Sequence, residues 1–125
     1  MSKTLEKLLN KALKTGYANL NGRMHSYGWE GELESRYCFE YDQETGDLTL
    51  SHWGTEILTI GSLKSSKPIV KEFYGQSKSD RDALCFVFDY LGMEYTAQYR
   101  PSIEEFSVTA DFGTGELEKK NFQYE

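Results

Sequence analysis

Leu5, Leu8, Leu9, Ala12 and Leu13 recur at the spacing of one helix face, and Gly16 follows as a stop. Lys3, Lys7, Lys11 and Lys14 lie mostly off that stripe, as a solvated face requires. Residues 17–32 lose the helical period. They are rich in Gly, Asn and Tyr, Asn21-Gly22 is a turn signal, and a structured loop with exposed aromatics is expected there.

From Leu33 the period becomes two. Tyr37, Phe39 and Tyr41 alternate with Cys38, Glu40 and Asp42, the pattern of a strand with one wet face. Gln43–Gly46 turn the chain, and Leu48 and Leu50 alternate with Thr49 and Ser51 in a partner strand. Gly54 marks a kink or bulge before Thr55–Ile60 continue. A loop over Gly61–Lys67 leads to a strand over Ile69–Tyr74. Short strands with short connections imply an antiparallel meander of three to four strands.

A second helix opens near Ser79, which can cap it, with Asp80 and Asp82 at its positive end. It runs to about Leu91, is apolar over more than half its circumference, and ends at Gly92. Met93–Arg100 and Phe106–Phe112 alternate again, with Pro101 as the break. Residues 113–125 are expected to be a flexible tail. Helices on one face of a mainly antiparallel sheet make an α+β fold, and 125 residues fit a single domain over 1–125.

Composition excludes several classes. Aromatics are 14% of the chain, too many for a disordered one. Cys38 and Cys85 sit among apolar neighbours and read as half-buried free thiols, since a disulfide framework needs more cysteines. The N-terminal stretch carries no apolar run of signal-peptide or membrane-span length, so a cytoplasmic location is expected.

Charge is distributed unevenly. Glu30, Glu32, Glu34, Glu40, Asp42, Glu44 and Asp47 face only Arg36 between residues 30 and 47, a local net charge of −6 that equals that of the whole chain. The first 23 residues carry +4. A net charge of −6 opposes binding to nucleic acid or an anionic membrane and favours a basic partner or plain solubility.

Catalytic and metal motifs are not found. His25, His52, Cys38 and Cys85 lack CxxC, HxH or HExxH spacing, and the carboxylates lack the pattern of a calcium loop. Cys38 and His52 become neighbours if their strands pair, the starting point for a thiol enzyme. Tyr74–Ser79 precede a helix, but Asp80 and Asp82 repel a phosphate and no Walker spacing is present. Tyr37, Phe39 and Tyr41 alternate with acids, which suits a core better than a nucleic-acid platform.

The stretches HSYGWEGE (25–32), HWGTEIL (52–58) and FYGQSKSDRDAL (73–84) resemble small proteins from phages, plasmids and integrated elements of Gram-positive bacteria. Proteins of that size, acidity and setting include anti-CRISPR proteins that inhibit Cas9, some by placing carboxylates where the effector expects phosphate. The resemblance implies a mobile-element origin and transfers no site residue.

The expectation is therefore a non-enzymatic interaction protein without cofactor or metal. Its acidic face, Glu30, Glu32, Glu34, Glu40, Asp42, Glu44 and Asp47, would bind a basic groove on a nucleic-acid-binding effector such as a CRISPR nuclease. Tyr27, Trp29 and Trp53 would anchor it, because aromatic anchors supply most interface energy and rim charges steer association. The alternative is a small nucleic-acid-binding regulator that uses the Lys3–Lys14 helix.

Overall fold

The computed structural model describes residues 2–23, 33–52, 54–61, 63, 64 and 67–122, with side chains from Leu5 to Asn19 and from Tyr37 to Asn121 within them. In chain order the elements are α1 (Ser2–Thr15), β1 (Tyr17–Arg23), β2 (Leu33–Asp42), β3 (Asp47–His52), β4 (Thr55–Gly61), β5 (Ile69–Phe73), α2 (Lys78–Tyr90), β6 (Thr96–Arg100), a 3-10 turn (Pro101–Ile103), β7 (Glu105–Asp111) and β8 (Leu117–Phe122). Strands β1 to β5 form one antiparallel meander in sequence order, and β6 to β8 a second. The fold is α+β, as the alternation of periods predicts.

Periodicity explains which side goes inward. In α1 the stripe buries Leu5, Leu9 and Ala12, with Leu8 and Leu13 half-buried beside them, while Lys7, Lys11 and Lys14 are exposed. In β2, Tyr37 and Phe39 are buried and Tyr41 packs on the core, while Glu40 and Asp42 are exposed. Leu48, Leu50, Leu58, Ile60 and Val70 continue the inner face across β3 to β5. Ala83, Leu84, Val87 and Phe88 of α2 complete the same cluster. Burying each large side chain contributes about 1.5–3 kcal/mol. The two helices share this face, where the Tyr90 hydroxyl donates to Asn10 Oδ1.

Five features differ from the sequence expectation. The meander has five strands, because Tyr17–Arg23 pair with β2. Asn21-Gly22 is no hairpin turn. It lies in β1 beside a register shift at Leu20/Asn21, so an irregular ladder absorbs the Gly and Asn that suggested a loop. Gly54 does not kink one strand: His52 pairs with Thr55, Gly54 lies in the turn between β3 and β4, and the bulge falls at Leu50/Ser51. The cap of α2 is Ser77, not Ser79, with Ser77 Oγ accepting from the Asp80 amide at 3.1 Å. Residues 117–122 are not a tail but strand β8, paired along β7 from Asp111–Leu117 to Phe106–Phe122.

Local chemistry accounts for these ends. Asp111 Oδ1 accepts from the amides of Gly113 (2.8 Å) and Gly115 (3.1 Å), which folds the chain back and starts β8. Gly92, at φ 73°, ends α2, with Gly92 N donating to Asp89 O and Met93 N to Phe88 O. That pair of bonds is the Schellman arrangement, and the left-handed backbone it needs favours glycine. The two sheets meet where Phe73 approaches Phe106 and Phe112, with ring centroids 6.3 and 6.1 Å apart.

Candidate interaction face

The helices cover one side of the five-stranded sheet, and among the described residues no element covers the other. Register fixes what stands there. One cross-strand row is Tyr17–Glu40–Thr49–Thr59–Glu72, running over all five strands. A neighbouring row is Asn19–Cys38–Ser51–Glu56. At the β2–β3 end Asp42 pairs with Asp47. Glu40, Glu56 and Glu72 are exposed, and the two central strands offer the small hydroxyls of Thr49, Ser51 and Thr59 between them. Tyr17 is 51% exposed at the edge. This face is acidic and polar, with Lys71 paired to Asp47 and Lys64 near Asp42 at its β2–β3 end.

Two of the acids are committed to the fold. Asp42 Oδ1 accepts from the amides of Glu44 (2.8 Å) and Thr45 (3.2 Å), which forms the β2–β3 turn. Those two backbone donors hold its carboxyl below the ordinary range. Asp47 Oδ2 accepts from Lys71 Nζ at 3.0 Å. Like charges directly opposite one another repel. Here the turn amides and Lys71 offset the Asp42–Asp47 repulsion.

The residues singled out in the sequence therefore divide. Glu40, Asp42 and Asp47 share the open face, and Glu44 sits exposed in the turn beside it. Glu34 belongs to the backbone of β2, opposite Gly22. Tyr27, Trp29, Glu30, Glu32 and Trp53 lie outside the described residues. Glu56 and Glu72 were missed because they fall outside the acidic run. Alternation alone does not reveal them, because Thr55 beside Glu56 and Lys71 beside Glu72 are exposed too, and strand pairing is what places both on this face.

Cys38 and His52 are not brought together. Cys38 is paired with Ser51, while His52 is paired with Tyr37 and belongs to the opposite side. Cys38 neighbours Tyr17 instead, and burial is the main cause that raises its thiol pKa, against reactivity as a thiolate. Cys85 Sγ contacts Ala97 O at 3.5 Å, and both cysteines are free and half-buried.

His52 has a different setting, which the sequence did not reveal. Its Nδ1 lies 2.8 Å from Asp80 Oδ1, and its ring stacks on Tyr37 at 4.5 Å and 2°. Asp80 Oδ2 accepts from Gln76 N at 3.1 Å. Burial raises the Asp80 pKa, but the His52 and Gln76 bonds, the His52 charge and Ser77 outweigh it and leave it lowered. His52 and Asp80 are 8% and 6% exposed, and they line a cavity of about 290 Å³ with Thr55, Ile57, Tyr74, Gln76 and Ser77.

Among the described residues no group of three or more His, Cys, Asp or Glu side chains is placed to hold a metal ion. No described helix is long and apolar enough to cross a membrane. Comparison with protein families, curated protein sequences and solved structures finds no match to this chain.

Proposed function

We propose that this protein is a non-enzymatic interaction protein whose open sheet face binds a basic surface on a nucleic-acid-binding effector. A Cas9-type nuclease is the sharpest form of that reading. The observation that carries it is the row from Tyr17 through Glu40 to Glu72 on a sheet face that no described element covers. Glu40, Glu56 and Glu72 matter most, because Asp42 is used by the β2–β3 turn and Asp47 by its pair with Lys71. Strands are about 4.8 Å apart, so Glu40 on β2 and Glu72 on β5 stand about 14 Å apart in backbone position. That spread suits a broad basic surface. A point-like cation site would need convergence.

Long-range attraction of this kind raises association rates and weakens with salt. The test titrates the protein into guide-loaded Cas9 and follows target DNA cleavage. The expected result is inhibition that weakens with rising salt and falls at least tenfold in the triple variant Glu40→Gln, Glu56→Gln, Glu72→Gln. Inhibition unchanged by that variant, or complete failure to bind the nuclease, overturns the corresponding part of the reading. Expression in a reducing cytoplasm fits two free thiols.

A further inference from the structure

The cavity between β3, β4 and the start of α2 lies on the helix-covered side of the sheet, away from the acidic face. Its floor is unusual in a small fold: a histidine and a carboxylate, both more than nine-tenths buried, in direct contact. A buried polar pair gives little net stability compared with apolar side chains of the same volume, because desolvation offsets the attraction. The space above the pair is also left open, at about 290 Å³, near the lower end of small-molecule sites. A joint built only for packing would fill it.

We propose that this cavity binds a compact, uncharged, hydrogen-bonding ring molecule of nucleobase or single-sugar size. The class follows from the lining. Thr55, Tyr74 and Ser77 supply hydroxyls, Gln76 an amide, and Ile57 one apolar wall. No Lys or Arg is among these residues, and His52 is already engaged by Asp80, so an anion finds no cation to pair with. The one carboxylate, Asp80, is already held by His52 on one oxygen and by the Gln76 amide on the other, so an organic cation finds its counter-charge engaged. Ser77 Oγ caps the first turn of α2 and thereby occupies the helix end that would otherwise draw an anion. What remains is a neutral, donor-and-acceptor surface held rigid by the cap, the Asp80 bonds and the Tyr37 stack. A bound ring would bridge β3, β4 and the α2 entry, and it would stabilise the folded state by mass action.

The test uses the full chain labelled with ¹⁵N, titrated separately with cytosine, uridine, glucose and N-acetylglucosamine at millimolar concentration. The His52 ring signals and the amides of Gln76, Ser77 and Asp80 are followed. The expected result is saturable movement of these signals with at least one probe, which also identifies the base or the sugar as the source. Thr55→Trp at the exposed mouth and Gln76→Ala, also exposed, should each weaken that binding at least tenfold while the remaining spectrum stays folded. Uridine 5′-monophosphate and glucose 6-phosphate should bind no tighter than the uncharged forms. Absence of movement with all four probes overturns the proposal, and so does preference for the phosphorylated analogues or unchanged affinity in Thr55→Trp.

Discussion

At the scale of single residues, Asp80 does the most varied work. It reaches back to β3 through His52, holds the loop before α2 through the Gln76 amide, and receives the Ser77 cap at its own amide. Asp80→Asn should lower stability by about 1–3 kcal/mol, the cost of disrupting buried hydrogen bonds, read from denaturant unfolding. The pH dependence has a definite sign. The Asp80 pKa is lowered in the folded state, so its contribution is fully present above the unfolded carboxylate value near 4 and is lost as pH falls through the lower folded value. The variant should therefore lose less stability than the wild type between about pH 4 and pH 2. An equally steep acid limb in both proteins would contradict this role. Gly75 makes a second residue-scale argument. A Cβ there would stand 2.3 Å from Phe106 Cε2 and Cζ, so only glycine lets the β5–α2 connection lie against that ring. Gly75→Ala should cost about 1–3 kcal/mol, as overpacking usually does. Phe106→Leu in the same chain should recover part of the loss in a double-mutant cycle, whereas additive losses would place the strain elsewhere.

At the scale of elements, the strands and helices with a clean period were legible and the irregular ones were not. Tyr37–Phe39–Tyr41 and Phe106–Val108–Ala110 announce their buried faces because aromatic and apolar positions strictly alternate. Tyr17–Arg23 carry Ala18 inward, but Asn19, Asn21 and Gly22 read as a loop, since edge pairing through the backbone needs little from side chains. Strand β8 hides for the same reason. Its Leu117–Asn121 are exposed, Leu117 at 53%. It is held by the β7 ladder, by Lys120 Nζ 4.6 Å from the Phe112 ring centre, and by the turn that Asp111 folds. The acidic face was half legible: the run from 30 to 47 drew attention to β2, while Glu56 and Glu72 needed strand order to join it. The His52–Asp80 contact spans 28 positions with no spacing motif, so tertiary structure alone reveals it. An element-scale prediction follows for β8. Deleting residues 116–125 removes the β8 partner of β7, so β7 amides that donate to β8 should lose hydrogen-exchange protection and the midpoint of unfolding should drop. A true tail would leave both unchanged.

At the scale of the whole molecule, the charge split along the sequence becomes a split across the fold. Lys7, Lys11 and Lys14 stand exposed on α1, which covers the inner side of β1 and β2, while Glu40, Glu56 and Glu72 stand on the outer side. A helix layer is about 10–12 Å thick, so the two charged faces are separated by roughly that distance or more. The screening length is about 8 Å at physiological salt and about 30 Å at 0.01 M. The faces should therefore act independently at physiological salt and oppose each other in dilute buffer. For a basic partner approaching the acidic face, the helix lysines reduce the attraction only when screening is weak. Neutralising Lys7, Lys11 and Lys14 to Gln should raise the association rate with a basic partner a few-fold at 0.01 M salt and leave it unchanged near 0.15 M, while dissociation stays constant at both. Stopped-flow measurement at the two salt concentrations reads this directly. If the lysines were themselves the binding surface, as in a nucleic-acid-binding regulator, the same variant would instead abolish retardation of duplex DNA at low salt and slow association. The sign of the rate change at 0.01 M separates a molecule that works through its sheet from one that works through its helix.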